Sequence, residues 1–89
     1  MAWQIELTET ARKQLSKLDK QTALRITKFL RERVMPLENP RSIGKALVGA
    51  VFGSYWRYRV GDDRIVCEIQ DKKLNILVIE VGNRREIYR

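Results

Sequence analysis

The residues best suited to chemistry lie between Tyr55 and Ile69, which read Tyr-Trp-Arg-Tyr-Arg-Val-Gly-Asp-Asp-Arg-Ile-Val-Cys-Glu-Ile. Side chains on a strand point alternately to its two faces. With Asp62-Asp63 as a two-residue turn, Gly61 faces Arg64, Arg59 faces Val66 and Arg57 faces Glu68. Arg57, Arg59 and Arg64 then project from one face, and Trp56, Tyr58, Val60, Ile65, Cys67 and Ile69 from the other. Guanidinium groups held close together repel one another unless an anion joins them, and their planar forks of donors match a phosphate in a bidentate way. The competing reading is a solvated strand face on which Glu68 pairs one of the arginines.

The last residues, Gly82-Asn-Arg-Arg-Glu-Ile-Tyr-Arg, leave the final strand beside that hairpin, add Arg85 and Arg89, and bring Arg84 and Tyr88 within reach of the same basin. Tyr88 is equally readable as an apolar anchor for the C-terminus. Lys45, at the entrance to the sheet, is either part of the rim or a free surface lysine. Trp3, Trp56 and Cys67 fall on inner faces, which makes them core residues rather than stacking platforms or nucleophiles.

The chain contains no histidine. That excludes Ser-His-Asp and Cys-His triads, imidazole acid–base catalysis and nearly all zinc chemistry. Catalysis here must use Arg, Lys, Tyr, Asp or Glu. The acidic residues do not cluster at ligand spacing, so no metal and no cofactor is expected. Eighteen Lys and Arg against eleven Asp and Glu leave a net charge of +7, which points to a polyanion or an acidic protein as partner. Most of the excess lies on the predicted helices. Arg12, Lys13, Lys17, Lys20, Arg25, Lys28, Arg31 and Arg33 offer a second, less specific surface for phosphate backbone.

The elements that position these residues follow from periodicity. Residues 2–7 alternate as a short strand. Thr8 caps a helix whose apolar stripe is Ala11, Leu15 and Leu18. Asp19 caps a second helix, over Lys20 to Met35, with Ala23, Ile26, Leu30 and Val34 on one face and Pro36 as its stop. So short a link predicts a helical hairpin. Residues 36–44 form a loop. Strands follow at 45–50, 54–61, 64–70 and 73–81, with turns at Asp62-Asp63 and Asp71-Lys72. Leu74–Val81 is apolar at nearly every position, which predicts a central strand covered on both faces. The fold class is α+β: an N-terminal strand, a helical hairpin and a four-strand antiparallel meander forming a curved sheet.

At 89 residues the chain is expected to be one domain, 1–89, with a thin core. No apolar run is long enough for a membrane span, and the first residues show neither a basic n-region nor an apolar h-region. Cys67 is the sole cysteine, which suits a reducing cytoplasm.

The order and spacing of Ala11 with Leu15 and Leu18, Lys45-Ala-Leu-Val-Gly49, Trp56-Arg-Tyr-Arg-Val-Gly-Asp62, Arg64-Ile65, Val81-Gly-Asn-Arg84 and Tyr88 resemble the RelE-like branch of the RelE/ParE superfamily, the toxins of type II toxin–antitoxin systems. The resemblance spans nearly the whole chain. It implies a curved antiparallel sheet with two helices on one side, a cognate antitoxin that blocks the site, and contact with operator DNA only through that antitoxin. It implies a toxin that enters the ribosomal A site and cleaves mRNA by attack of a 2′-hydroxyl on the neighbouring phosphate, with neither metal nor membrane involved. Carried over by position, Arg57, Arg64, Arg84 and Tyr88 are the implied catalytic residues, with Lys45, Arg59 and Arg85 as RNA-binding residues. Two positions depart from the pattern. Asp63 stands where many relatives have an aromatic residue, which would bring a carboxylate near the phosphate site. Asn83 stands where many have histidine, which throws acid–base work onto Tyr88. Two other functions fit the same residues: a gyrase inhibitor of the ParE branch, and a non-catalytic module that binds protein or nucleic acid.

Overall fold

The computed structural model describes residues 3–47 and 55–83. The chain opens with β1 (Gln4–Leu7), α1 (Glu9–Lys17) and α2 (Lys20–Phe29), and α2 runs directly into a π-helical turn at Leu30–Val34. A 3-10 turn at Pro40–Ser42 leads to β2 (Lys45–Ala46), β3 (Tyr55–Val60), β4 (Asp63–Gln70), a second 3-10 turn (Asp71–Lys73) and β5 (Asn75–Asn83). The strands form one sheet in the order β1-β5-β4-β3-β2. The last four pair antiparallel as a meander, while β1 lies parallel to β5 at its far edge. No helix is long and apolar enough to cross a membrane among the described residues.

Local chemistry accounts for the element starts. The Thr8 hydroxyl accepts from the Ala11 N–H at 3.1 Å, satisfying one of the open donors of α1. The same hydroxyl donates to the Ile79 carbonyl, and the Thr8 N–H donates to the Val78 carbonyl at 3.0 Å. One residue thus ends β1, starts α1 and ties both to β5. Asp19 caps α2 by accepting from the Thr22 hydroxyl and the Thr22 N–H, and these bonds hold its carboxyl below the usual range. Ile26, Leu30 and Val34 are buried as one stripe, with Ala23 half-buried beside it. They meet Tyr58, Val60, Ile65, Cys67, Ile69, Ile76, Val78 and Val81 from the sheet. Phe29 packs against Tyr58 with ring centroids 5.9 Å apart and planes tilted by 59°.

The loop before β2 is held down by side chains from distant parts of the chain. The Trp3 indole donates to the Glu38 carbonyl at 3.2 Å, the Tyr58 hydroxyl to Pro40 at 2.6 Å and the Trp56 indole to Ile43 at 2.8 Å. Arg41 reaches across to Asp71 with two bonds of 2.9 and 3.0 Å. Backbone carbonyls that would lack a partner beneath a loop are thereby satisfied.

Several boundaries differ from those predicted. The turn between β3 and β4 is Gly61-Asp62, with Gly61 at φ +61°, because a tight hairpin wants a left-handed residue and glycine takes that conformation freely. The register therefore slips by two residues: Val60 faces Asp63, Arg59 faces Arg64, and Arg57 faces Val66. A slip of two preserves the face of every side chain. The second helix is α-helical only to Phe29, and Met35 N–H closes the wider π turn on Leu30. The predicted turn Asp71-Lys72 is a 3-10 turn ending in Leu74 at φ +49°. The last strand accordingly runs Asn75–Asn83 rather than 73–81. β5 is an interior strand, but β4 is the central one, and Leu77 and Ile79 of β5 are only half-buried. Of the predicted strand 45–50, residues 48–50 lie outside the described residues.

Candidate functional site

Beyond Ala46 and Lys45, β2 stops pairing, and β3 from Tyr58 to Val60 has no second strand neighbour among the described residues. A cavity of about 340 Å³ lies at this open edge. Phe29 and Arg33 line it from the helical side, Ile43, Gly44 and Lys45 from the loop, and Arg57, Tyr58, Arg59 and Arg64 from the hairpin. Five of these nine residues carry positive charge, and none of the nine is acidic.

The pairing register produces the concentration of charge. Lys45 sits directly opposite Arg57, and Arg59 directly opposite Arg64. Side chains opposite each other across antiparallel strands lie within about 5.5 Å at Cβ, and like charges there are destabilising. Two cation–cation pairs stand side by side. Glu68, which the competing reading paired with an arginine, lies on the same face opposite Tyr55 rather than Arg57, and its Oε1 accepts from Gln70 Nε2 at 2.8 Å. Val66 occupies the place opposite Arg57 and is buried. Arg64 is only 7% exposed, which keeps its charge in a low-dielectric wall where an arriving anion is felt strongly. Asp63 pairs with Val60 and alternates away from Arg64, so it lies on the core-side face and not at the cavity. This corrects the expectation of a carboxylate near the site.

The loop supplies the remaining wall. Gly44, at φ +82°, lets the chain pass so close to β3 that a Cβ there would overlap the Arg57 carbonyl oxygen. That approach places Lys45 in register with Arg57. Tyr58 lines the cavity, but burial pushes its phenol up, with Cys67 adding to the rise and Arg41 opposing it; its proton is committed to the Pro40 carbonyl. Tyr58 is therefore a wall and not an acid or base. Cys67 lies on the core face, and its thiol is pushed up by burial.

Of the residues predicted from sequence, Lys45, Arg57, Arg59 and Arg64 come together at the cavity. Arg84, Arg85 and Tyr88 lie outside the described residues. The described chain ends with Gly82 opposite Arg64 and Asn83 opposite Asp63. Sequence reasoning placed Arg33 on a diffuse helical surface, whereas it is part of this cavity. Its neighbour Val34 in the buried stripe was the available sign that it stood near the sheet. No grouping of acidic residues and Cys67 among the described residues is arranged to hold a metal.

A family model described as the ParE toxin of the type II toxin–antitoxin system, parDE, matches residues 5–88. The isolated RelE toxin of E. coli is 28% identical, with 98% of this chain and 92% of that one covered and a TM-score of 0.73. Two structures with lower sequence identity share the fold. A chain of the RelBE2 toxin–antitoxin complex from Mycobacterium tuberculosis is 23% identical, with 94% and 93% covered and a TM-score of 0.84. A chain of the RelB–RelE antitoxin–toxin complex from Methanococcus jannaschii is 24% identical, with 93% and 94% covered and a TM-score of 0.61. A sequence search of curated proteins finds no match.

Proposed function

The chain belongs to the ParE toxin family of type II toxin–antitoxin systems, and from that membership we propose that it is a RelE-like, ribosome-dependent endoribonuclease that cleaves mRNA in the A site and so inhibits translation. The observation that carries this reading is the pair of like-charged cross-strand partners, Lys45 with Arg57 and Arg59 with Arg64, at one cavity whose described lining residues include no carboxylate. Guanidinium forks gathered in this way match the oxygens of a phosphodiester.

In the proposed reaction the 2′-oxygen attacks the neighbouring phosphorus and the 5′-oxygen leaves, giving a 2′,3′-cyclic phosphate and a 5′-hydroxyl. Arg57 and Arg64 stabilise the charge that builds on the non-bridging oxygens. Lys45 and Arg59 hold the flanking backbone, with Arg85 from the tail. Arg84 is assigned to the same phosphate. Tyr88 takes the proton of the 2′-hydroxyl or returns one to the leaving oxygen. A tyrosine is a weak base near neutral pH, its ordinary pKa being about 10, and adjacent guanidinium groups favour its phenolate. Alignment of the 2′-hydroxyl by the ribosome would supply the rest, since orientation is worth roughly 7–11 kcal/mol in favourable cases. A cognate antitoxin is the proposed regulatory partner, because the similar structures include toxin–antitoxin complexes.

Primer extension on mRNA from a translation reaction, with and without ribosomes, tests this reading. Cuts within A-site codons that require ribosomes are the expected result. Intact mRNA with continuing translation would overturn it. The second reading is inhibition of DNA gyrase, favoured by the ParE description of the matching family model. A supercoiling assay distinguishes it, because only that reading expects gyrase to stall.

A further inference from the structure

Beside the cation-lined cavity lies a second one, of about 250 Å³, lined by Arg25, Lys28, Phe29, Glu32, Arg33 and Val60. The two share Phe29 and Arg33, so a single side-chain wall separates them. The spacing of Arg25, Lys28 and Phe29 by three and four residues puts them along one side of α2. Arg25 extends to the hairpin tip, where its Nη1 lies 3.7 Å from the place a Cβ on Gly61 would occupy. Among the described residues, none of Arg25, Lys28 and Arg33 forms an ion pair. Glu32, the one carboxylate of the lining, forms none either, and the lining stays net positive.

We infer that this second cavity is a backbone subsite for single-stranded RNA, in which Arg25 and Lys28 take a phosphate next to the one held by Arg57 and Arg64, with Arg33 between the two. The inference rests on the endoribonuclease reading and adds the path of the strand leaving the site. RNA fits better than a protein partner because cations continue from one cavity to the next around an aromatic ring, as in single-strand tracks. A protein-binding core is depleted of lysine and apolar at its centre. The groove lined by Ile5, Leu7, Thr27, Leu30, Arg31 and Met35 holds one cation and no lysine, whereas the second cavity holds three cations, one of them Lys28.

The test measures binding of a fluorescent oligouridine dodecamer to the full chain by anisotropy across a salt series. The variants are Arg25→Ala/Lys28→Ala and a charge-matched control, Lys72→Ala/Lys73→Ala, in the turn between β4 and β5. All four residues are exposed, and circular dichroism checks that both variants fold. Each contact to a single strand contributes roughly 0.7 to the slope of log affinity against log salt, so losing two lowers the slope by about 1.4 and weakens binding about 25-fold one decade below the salt concentration at which charge ceases to matter. The control is expected to bind as the wild type does. Equal weakening in both variants, or none in the first, would overturn the subsite. So would loss of binding to an acidic polyglutamate with RNA binding intact, which would make the surface a protein site. A wild type that binds RNA through Arg25 and Lys28 but never cuts mRNA on ribosomes would defeat the endoribonuclease reading and leave the RNA track standing.

Discussion

Gly44→Ala probes whether the loop before β2 sets the geometry of the cation cluster. Two penalties are expected. The first is conformational: φ is +82° at Gly44, and a left-handed backbone costs an L-residue about 1–2 kcal/mol. The second is steric. The new methyl would overlap the Arg57 carbonyl oxygen and lie 2.6 Å from Trp56 Nε1 and 2.9 Å from Tyr58 Cδ1. Two of these three atoms belong to β3 backbone or a buried ring, so β2 must move away. The hydrogen bonds that pair Lys45 with Arg57 then weaken, at about 1 kcal/mol each. Gly61→Ala separates the two penalties. Its φ of +61° carries the same conformational cost, but the nearest atom, Arg25 Nη1, is at 3.7 Å in ordinary contact. The expected losses are about 3–4 kcal/mol for Gly44→Ala and about 1–2 kcal/mol for Gly61→Ala. At about 4–8 °C per kcal/mol for a domain of this size, the first variant should melt at least about 12 °C lower and the second less than about half as far. Denaturant and thermal unfolding measure this, and anisotropy with oligouridine reports whether the displaced Lys45 weakens binding. Equal destabilisation of the two variants would refute the close approach of the loop to β3.

Three further outcomes are expected. Tyr58→Phe leaves the Pro40 carbonyl without its 2.6 Å partner and should cost about 1–3 kcal/mol in unfolding free energy, without the pH-rate change that loss of an acid or base would bring. Arg41 holds the Asp71 carboxyl below its usual range, so this pair stabilises the fold above the unfolded carboxyl's pKa, and the contribution is lost as pH falls through the lower folded value. The pair is exposed, so the effect is small, about 0.5 kcal/mol, and Asp71→Asn should remove it from the acid limb of a stability profile. Arg64→Ala should lower single-turnover mRNA cleavage by about 10²–10³ while ribosome binding is largely kept, and growth arrest at wild-type strength would remove Arg64 from the catalytic set.

Local features were readable from sequence because their causes are local. Thr8 and Asp19 cap the helices they precede, and each does so with a side chain bonded three residues ahead. The arginine face was readable for a different reason. The hairpin turn is one residue earlier than predicted and the register two residues off, yet strand alternation has a period of two, so Arg57, Arg59 and Arg64 stay together. The partners of those arginines were not readable. The same slip moves Glu68 away from Arg57 and sets Arg59 against Arg64. Glu68 stays on that face, one place along from Arg57, while two arginines come to stand directly opposite each other.

By itself the sequence determined the α+β class, the absence of imidazole chemistry and the side of the hairpin on which positive charge gathers. These depend on composition and on periods of 3.6 and 2 that any stretch of chain carries within itself. Only the tertiary structure decided that β1 runs parallel to β5, that Gly44 brings Lys45 against Arg57, and that Arg33 reaches the cavity from the end of the helical segment. Each of those joins residues distant in the chain. Such a contact is selected by how the helices and the loop close over one core, and residue spacing along the chain does not encode it.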